Sequence, residues 1–382
     1  MKMKIPLYKV FMAEEANEEI IQTLYSGWIG EGQKVVNFEV ALSDYLKNQA
    51  LSARVLAVNS CTSAMELALK LINDGTGGEI ITNPIACFAS VSAILAQGFT
   101  PRFADIDPET GNLDLDDVQR KVNENTKGIL VVHFCGQSID FQKLYAVAKR
   151  SRTQKQNLWV IEDCAHALGS DRKGFRVGGP VRDWAFDHAM SIKCLSFQSV
   201  KTLTTGDGGA LVLPDENLYQ RAKKLRWYGL SRHEDRYEQD VQEAGHKFIM
   251  TDIDATLGLA NMRHLTRLVE LQRSNWGYYY TMLSTQPRMR LMRRELESNS
   301  ACPLFPILVD NRDGFKEMMK SKGIQVDLPH GLCTQHSCVK EYATESLLNT
   351  EWFYKRLVAI PAGWWVGQQE INYIIDSIKE GW

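Results

Sequence analysis

The fold is indicated by three consecutive pieces of sequence, Val55-Leu56-Ala57-Val58, Asn59-Ser60-Cys61-Thr62-Ser63-Ala64 and Met65-Glu66-Leu67-Ala68-Leu69-Lys70-Leu71. They predict a buried strand, a polar turn and a helix. The first backbone amides of a helix have no partner within it, so a hydroxyl-rich turn at this point can bind a phosphate group. A simpler interpretation is also open, in which Asn59 or Ser60 only caps the helix.

Further short apolar runs alternate with helical patterns along the chain, at residues 79–82, 101–105, 128–133 and 158–163. Continuous apolar strands separated by helices are typical of a parallel sheet that helices cover on both faces. We therefore predict an α/β fold with a mostly parallel central sheet. Ligands of such sheets lie beyond the carboxyl ends of the strands, the edge at which His133 and Asp163 fall.

A second α/β unit is predicted near the C-terminus. It begins with Ile307-Leu308-Val309 and continues with a helical pattern at residues 312–322. No linker-like sequence separates the two units, so we place the boundary near residue 260, inside a helix. The expected division is a large domain at residues 1–260 and a smaller C-terminal α/β domain at residues 261–382.

The composition favours small-molecule chemistry. The 382-residue chain has a formal net charge of −2, which provides no positive field to attract nucleic acid or an anionic membrane. The N-terminal residues lack the apolar core of a signal peptide, and no apolar run is long enough to span a membrane. The eight cysteines are dispersed without a CxxC pair, as expected of thiols in a reducing compartment. We expect a cytoplasmic protein without nucleic-acid or membrane partners.

One small cluster combines residue types that bind metals. Cys333, His336 and Cys338 offer three ligands, but no second motif accompanies them. Structural zinc sites take four protein ligands. An ordinary loop is therefore the favoured interpretation, and we expect no metal.

Lys201 is the strongest chemical candidate. It lies in the stretch Ser196-Phe197-Gln198-Ser199-Val200-Lys201-Thr202-Leu203-Thr204-Thr205-Gly206-Asp207-Gly208-Gly209. The three glycines allow the backbone to turn tightly and to pass close to a ligand. A lysine amine that is partly withdrawn from water can attack a carbonyl and form a Schiff base. The alternative is a solvated lysine that precedes a tight turn.

Two further residues each have two open interpretations. Asp163 ends an apolar strand, where its carboxylate either caps the next helix or pairs with a cationic ring nitrogen of a cofactor. Trp28 lies in the glycine-rich loop Ser26-Gly27-Trp28-Ile29-Gly30-Glu31-Gly32. Its indole either contacts a ligand or fills the core.

The order of these pieces resembles the DegT/DnrJ family of pyridoxal-phosphate-dependent sugar aminotransferases, which have fold type I. The resemblance covers nearly the whole chain, and residues 360–366 resemble one branch of the family. Each piece alone is unspecific, whereas their order and spacing together are specific. The matching pieces are residues 27–32, 59–64, 105–112, 162–169, 196–209 and 245–248.

The resemblance implies a role for each residue at the cofactor ring. Lys201 forms the internal aldimine with pyridoxal phosphate in the family's pattern. Asp163 pairs with the protonated pyridine nitrogen and keeps the ring an electron sink. His166 stands where the family often has glutamine or histidine, near the 3-hydroxyl. The family's ring-stacking aromatic aligns with Cys87, and we assign the stacking to the next residue, Phe88.

The resemblance also implies how the phosphate and the substrate are held. The backbone amides around Cys61 and Thr62 and the hydroxyl of Ser196 bind the phosphate. Lys247 stands where many relatives have asparagine, and it reaches the phosphate from the other subunit of a homodimer with shared active sites. Trp28 is assigned to the substrate. The stretch at residues 180–190 is longer than usual in the family.

The resulting hypothesis is a transamination. An amino donor, expected to be glutamate, converts the cofactor to pyridoxamine phosphate, and a keto group on a nucleotide-linked deoxy sugar then accepts the amine for polysaccharide or deoxyamino-sugar biosynthesis. Three alternatives remain: an aminotransferase for a non-nucleotide keto compound, a pyridoxamine-dependent sugar dehydratase and a non-catalytic binding protein. Lys201 argues against the dehydratase, whose members carry histidine there. Lys201 and Asp163 together argue against the binding protein.

Overall fold

The computed structural model describes residues 4–48, 51–150, 158–180, 190–232, 234–235, 237–294 and 298–382. Except for its two end residues, the long stretch at 180–190 lies outside the described residues. The helices are α1 (Ala16–Leu24), α2 (Gln33–Leu46), α3 (Cys61–Ile72), α4 (Phe88–Ala96), α5 (Leu115–Lys121), α6 (Phe141–Arg150), α7 (Glu216–Leu225), α8 (Asp252–Met262), α9 (Leu265–Leu283), α10 (Arg312–Ser321), α11 (Leu348–Arg356) and α12 (Gln368–Lys379).

The strands run through the whole chain, and most of the longer ones lie in its first 213 residues. They are β1 (Arg54–Val58), β2 (Glu79–Thr82), β3 (Ile85–Ala86), β4 (Thr100–Phe103), β5 (Thr126–Val132), β6 (Trp159–Asp163), β7 (Asp171–Arg172), β8 (Phe175–Arg176), β9 (Ser191–Ser196), β10 (Gly209–Leu213), β11 (Met289–Leu291), β12 (Ser298–Asn299), β13 (Leu304–Val309), β14 (Gly331–Leu332) and β15 (Leu357–Pro361).

Seven of these strands form the central sheet, in the order β4-β2-β5-β6-β9-β10-β1. The pairs from β4 to β9 are parallel, whereas β10 is antiparallel to both β9 and β1. Six strands of this sheet therefore run in one direction and β10 runs against them. The predicted α/β fold with a mostly parallel central sheet is confirmed.

Helices cover both faces of this sheet, because alternate side chains of each strand point to opposite faces. Val55 and Ala57 of β1 pack in the same core as α2, while Leu56 and Val58 pack with α3. Since both faces are buried in this way, the strands read as continuous apolar runs. No helix among the described residues is both long and apolar enough to cross a membrane.

The C-terminal part has its own antiparallel sheet, in the order β11-β13-β15. Its core contains Phe305 and Phe315, and Ile5 from the N-terminal arm packs in the same core and forms a bridge with Ile324. Helix α9 joins the two parts, because its first turns pack in the core of the large sheet and its last turns in this second core. The division at residues 260 and 261 stays a prediction.

Candidate active site

The turn after β1 ends in an open helix N-terminus. The hydroxyl of Ser60 accepts a hydrogen bond from the backbone amide of Ser63 at 3.0 Å, so Ser60 caps α3. The amides of Cys61 and Thr62 have no acceptor among the described residues. The capping interpretation therefore holds for Ser60, and it leaves two amides at the positive end of the helix dipole for an anion.

Gly209 brings the Lys201 segment against this helix end. It is the first residue of β10 and lies between Val58, the last residue of β1, and Ser196, the last residue of β9. A Cβ atom at position 209 would lie 2.4 Å from the carbonyl carbon of Ser60 and 2.5 Å from the amide nitrogen of Cys61. Only glycine permits so close an approach, so this position explains one of the glycines after Lys201.

Asp163 ends β6 at the same edge of the sheet and is 3% exposed. One carboxylate oxygen accepts a hydrogen bond from the backbone amide of Ala165 at 3.0 Å. The other accepts from the hydroxyl of Ser90 at 2.9 Å. The side chain thus holds the following turn, as the capping interpretation predicts. Its pairing with a cofactor ring nitrogen stays a prediction.

Lys201 lines a narrow cleft at this edge, together with His166 and Ser196. Tyr8 from the N-terminal arm and Cys302 from the segment before β13 complete its walls. Neither Tyr8 nor Cys302 was found by the sequence analysis. Both approach the cleft from distant parts of the chain, and no local pattern marks them.

Electrostatic coupling shows that the three predicted pieces of the site lie together. Burial raises the pKa of the Cys61 thiol well above its usual range. The carboxylate of Asp163 raises it further, while the ammonium of Lys201 opposes this effect. A single side chain at the start of α3 therefore experiences the charges of both Asp163 and Lys201.

Two stacked histidines lie in this cleft region. The rings of His166 and His330 are 4.7 Å apart with an interplanar angle of 16°. Burial lowers the pKa of both, and the Lys201 ammonium lowers them further, to about 3 for His330. Both rings are therefore neutral at pH 7. The Nδ1 atom of His166 and the Nε2 atom of His330 are buried without a hydrogen-bond partner in the described part of the chain.

Phe88 is the first residue of α4 and directly follows an exposed Cys87. The ring of His336 meets Phe88 edge-on, with 4.7 Å between the ring centroids. Gly331–Leu332 pairs antiparallel with Ile85–Ala86, just before Cys87. The assignment of Phe88 rather than Cys87 to cover the cofactor ring stays a prediction.

Of the predicted site residues, only Lys201, His166 and Ser196 line the Lys201 cleft itself; Trp28 and Lys247 are among those that do not. Trp28 is 56% exposed, and its ring nitrogen donates to the backbone carbonyl of Glu31 at 3.0 Å. The interpretation in which Trp28 fills the core of this chain is therefore wrong. Lys247 is exposed, and its segment forms a bridge with Trp227.

Two of the three residues considered for zinc, Cys333 and His336, have other contacts, and Cys338 is exposed. The Cys333 thiol lies 3.5 Å from the carbonyl oxygen of Ala86, and His336 packs on Phe88. Within the described ranges, the only group of three metal-ligand side chains with atoms within 4.8 Å of one another is His133, Glu162 and Cys164.

Two residues of that group, His133 and Glu162, belong to a buried polar cluster on the other face of the sheet, which we call the Glu162 cluster. Its members are His133, Tyr145, Glu162, Ser191 and Lys193. The hydroxyls of Tyr145 and Ser191 donate to Glu162 at 2.8 and 2.7 Å, and the ammonium of Lys193 is 3.7 Å away. Burial raises the pKa of Glu162, but Lys193 and the hydrogen bonds outweigh burial and hold it at about 2.

His133 completes the Glu162 cluster. Its Nδ1 atom accepts a hydrogen bond from the amide of Ile139 at 3.3 Å, so Nε2 carries the proton and donates to Glu162 at 3.2 Å. His133 therefore falls at the predicted edge of the sheet, but its side chain bonds to Glu162 rather than lining the Lys201 cleft.

Comparison with known proteins agrees with this architecture. The sequence pattern of the DegT/DnrJ/EryC1/StrS aminotransferase family matches residues 11–379. The sugar aminotransferase CalS13 from Micromonospora echinospora has a TM-score of 0.93 to this chain at 32% identity, over 99% of this chain and 100% of CalS13. Spr1654 from Streptococcus pneumoniae, solved in its PMP (pyridoxamine phosphate) form, has a TM-score of 0.87 at 25% identity, over 99% and 97% of the two chains.

A curated relative from Bacillus subtilis is the spore coat polysaccharide biosynthesis protein SpsC. It is 28% identical over 393 residues, which cover 98% of this chain and 96% of SpsC. The fold and the cleft thus define a pyridoxal-phosphate-dependent aminotransferase of fold type I. The chain belongs to the DegT/DnrJ/EryC1/StrS sugar aminotransferase family, and the predicted resemblance is confirmed.

The described residues fit the cofactor that this family uses, pyridoxal phosphate. The two amides at the start of α3 suit a phosphate group, and the close approach of Gly209 to Ser60 and Cys61 brings the Lys201 segment against them. The unpartnered nitrogen of His166 suits a hydroxyl group. The predicted cofactor is confirmed by the family, and the roles of single residues remain predictions.

Proposed function

We propose that this protein transfers an amino group from glutamate to a keto group of a nucleotide-linked deoxy sugar. The observation that carries the proposal is the meeting of Lys201, Asp163, His166 and the start of α3 at one edge of the sheet. The proposed catalytic residue is Lys201. The other proposed site residues are Cys61, Thr62, Phe88, Asp163, His166 and Ser196 for the cofactor, Lys247 from the second subunit, and Trp28 for the substrate.

Bound pyridoxal phosphate supplies a ring that stabilises negative charge beside the transferred amine. Asp163, already fixed by Ser90 and Ala165, would pair its carboxylate with the ring nitrogen and keep that nitrogen protonated. The neutral His166 contacts the 3-hydroxyl. The amides of Cys61 and Thr62 bind the phosphate at the helix end.

Lys201 has two tasks in this proposal. Its amine would attach the cofactor covalently, and once the amine of the substrate has displaced it, the freed amine would carry a proton between the reacting carbon of the substrate and the cofactor. The cleft around it admits little water, because Tyr8, His166 and Cys302 close its walls. Borohydride reduction of the yellow protein followed by mass spectrometry of the peptides should locate the cofactor on Lys201. A protein that stays colourless after incubation with pyridoxal phosphate would contradict the proposal.

Membership of the family implies a sugar substrate, and we propose in addition that this sugar is linked to a nucleotide. CalS13 is a sugar aminotransferase and SpsC is a polysaccharide biosynthesis protein, which supports a role in sugar or polysaccharide biosynthesis. A non-nucleotide keto compound is the second candidate. A dehydratase and a non-catalytic protein are disfavoured by the presence of both Lys201 and Asp163.

The deciding experiment compares paired amino acceptors. Each keto-deoxy sugar is offered to the purified enzyme with and without its nucleotide, alongside simple keto acids and keto alcohols, with glutamate as donor. We expect turnover with a nucleotide-linked sugar and little with its free form. Lys201→Ala serves as the background control. Turnover of the simple keto compounds alone would favour the second candidate.

We further propose a homodimer with shared active sites. A row of exposed apolar side chains covers α1, α2 and the loop between them: Ile21, Leu24, Tyr25, Ile29, Val36 and Val40. A concentration of exposed apolar side chains in one stretch of the chain supports a subunit interface there. Exposed Trp28 lies beside it, where a second subunit would bring the indole close to a substrate. Sedimentation equilibrium should give twice the chain mass, and a monomer would contradict the proposal.

A cytoplasmic location is part of the same proposal. All eight cysteines are free thiols in the structure, and six of them are buried. Thiols of this kind suit a reducing compartment. Cell fractionation should recover the protein with cytoplasmic markers, whereas recovery in an oxidising compartment would contradict this expectation.

A further inference from the structure

A short segment that includes β14 and the turn after it lies beside the candidate active site, and we call residues 330–336 the crossing segment. Its strand Gly331–Leu332 pairs with Ile85–Ala86, and the amide of Cys333 donates to the carbonyl of Pro84 at 2.8 Å. At its two ends the histidine rings contact His166 and Phe88. The crossing segment therefore touches two of the residues proposed to hold the cofactor ring.

In the protein without cofactor, a hydrogen bond at Nδ1 does not hold the ring of His166. A functional histidine ring is normally oriented by hydrogen bonds to its nitrogens. No described residue bonds to the buried Nδ1 atom of His166, which is the nitrogen that suits the cofactor hydroxyl. The ring of His330 instead stacks on the ring of His166, with 4.7 Å between the two ring centroids.

His330 is itself held firmly enough to serve as a support. Its ring lies 5.7 Å from the ring of Phe134, which is fully buried. The strand pairing of the next two residues fixes its backbone. The ring of His330 is therefore inserted between Phe134 and His166, with backbone hydrogen bonds close by.

We propose that His330 is a positioning residue for His166, which fixes the plane of the His166 ring by stacking rather than by a hydrogen bond. This proposal rests on the proposed function in one respect only, which is that the oriented His166 contacts the 3-hydroxyl of the cofactor. The stack itself is a property of the protein without cofactor. His330 lies 164 positions after His166 in the sequence. A residue of the predicted C-terminal domain therefore contacts the proposed cofactor site of the large domain.

The first test uses the cofactor-free protein and a matched set of variants. His330→Ala removes the stacked face, His330→Phe keeps an aromatic face, and His336→Ala alters the other end of the crossing segment. The pKa of His166 is followed by NMR of labelled histidine nitrogens, with His166→Gln for assignment. Three factors lower the pKa of His166: its burial, the charge of Lys201 and the charge of His330.

We expect His330→Ala to raise the His166 pKa by about one pH unit or more, because water reaches a ring that burial had kept neutral. His330→Phe and His336→Ala should leave it within a few tenths of a unit. An unchanged pKa in His330→Ala, or an equal rise in His330→Phe, would overturn the proposal. If circular dichroism shows that His330→Ala does not fold, His330→Leu replaces it with the same expectation.

The second test uses the protein loaded with pyridoxal phosphate. His330→Ala should shift the pH at which the bound cofactor's absorbance band changes, while His330→Phe retains the parent midpoint. An identical midpoint in all variants means that His330 does not position His166 for the cofactor. The two tests distinguish failure of the proposed function from failure of the role of His330. A protein that binds no cofactor refutes the proposed function, while the first test still shows whether His330 orients His166.

Discussion

Glu162 and Asp163 are neighbours at the end of β6, yet they belong to two different kinds of buried polar site. Glu162 faces the cluster of Tyr145, Ser191, His133 and Lys193, in which hydrogen bonds and an ammonium group satisfy its carboxylate. Asp163 faces the opposite side, towards Ser90 and the Lys201 cleft. Alternation along a strand is the reason that two adjacent carboxylates meet such different surroundings.

The two sites differ in what is left without a partner. In the Glu162 cluster both nitrogens of His133 are hydrogen-bonded. In the Lys201 cleft region, His166 and His330 each have a buried nitrogen without a described partner, and two amides at the start of α3 are open. Because an unpaired buried polar group is costly, a protein keeps several of them together where a ligand binds. We therefore expect the Glu162 cluster to stabilise the fold and the Lys201 cleft to bind a ligand.

The largest expected effect separates the two sites by activity. Lys201→Ala should lower transaminase turnover by on the order of 10³-fold or more, because it removes both the covalent attachment and the proton carrier. Lys201 is partly exposed, so the free energy of unfolding should change by less than about 1 kcal/mol. Single-turnover assays and urea unfolding measure the two quantities. Retained turnover would refute the role of Lys201.

The second prediction compares the adjacent carboxylates by the same conservative change. Glu162→Gln should lower the free energy of unfolding by roughly 3–5 kcal/mol, because it leaves the buried Lys193 ammonium without its counter-charge. Asp163→Asn should lower it by about 1 kcal/mol, since an amide oxygen still accepts a hydrogen bond.

Activity of the correctly folded fraction should show the reverse order. Asp163→Asn should lower turnover by on the order of 10²-fold, because it removes the carboxylate that we propose keeps the ring nitrogen protonated. Glu162→Gln should change turnover much less. If both variants lose activity equally at full folding, the distinction between a stabilising cluster and a catalytic cleft is wrong.

The third prediction concerns acid stability. The pKa of Glu162 is lowered to about 2 in the folded protein from an ordinary value of 4.5. A carboxyl group with a lowered pKa stabilises the fold above its unfolded-state pKa, and this contribution is lost as the pH falls through the folded-state pKa. The difference in unfolding free energy between the parent protein and Glu162→Gln should therefore shrink as the pH falls from about 4.5 to about 2.

Urea titrations at a series of pH values measure this difference. Tyr145→Phe is the matched control, because it removes one hydrogen bond to Glu162 and keeps the charge pair with Lys193. It should cost about 1 kcal/mol at neutral pH. A difference between parent and Glu162→Gln that is constant down to pH 2 would show that the carboxylate charge does not stabilise the fold.

The sequence predicted the parts of the site that lie on one local pattern. Lys201, Asp163 and the turn before α3 each stand directly at the end of an apolar run or among glycines, so their positions could be inferred from strand direction alone. Tyr8, Cys302 and His330 could not be found, because the fold brings them to the cleft from the N-terminal arm and the C-terminal part. The cap by Ser60 was one of two predicted outcomes, and the structure shows that capping leaves amides open for an anion.

The Glu162 cluster was also hidden from the sequence. Glu162 lies in a quoted motif, but nothing in the motif shows that the residue before Asp163 points to the other face and meets Lys193. The pairing of β6 with β9 determines that contact. The buried or exposed state of Trp28 was equally undetermined, because an isolated tryptophan in a glycine-rich loop has no periodic neighbours from which to infer a face.

The smallest expected effect tests whether the cleft is completed by a second subunit. Lys247→Ala and Lys201→Ala chains are each expected to have little activity, since one removes the proposed phosphate contact and the other the proposed reactive amine. In mixed dimers one site carries both changes and the other carries neither, provided that Lys247 acts across the interface. Random mixing should therefore restore about a quarter of the parent activity, because half of the dimers are mixed and each has one intact site.

The same mixing experiment with Asp163→Asn in place of Lys247→Ala is the control. Asp163 lies at the same sheet edge as Lys201 within one chain, so every site of a mixed dimer then carries one of the two changes and no activity should return. Restoration only with the Lys247 variant places that lysine in the partner's cleft. If neither mixture regains activity although the subunits exchange, Lys247 does not act across the interface. Each chain then completes its own site, just as the Glu162 cluster is formed within one chain.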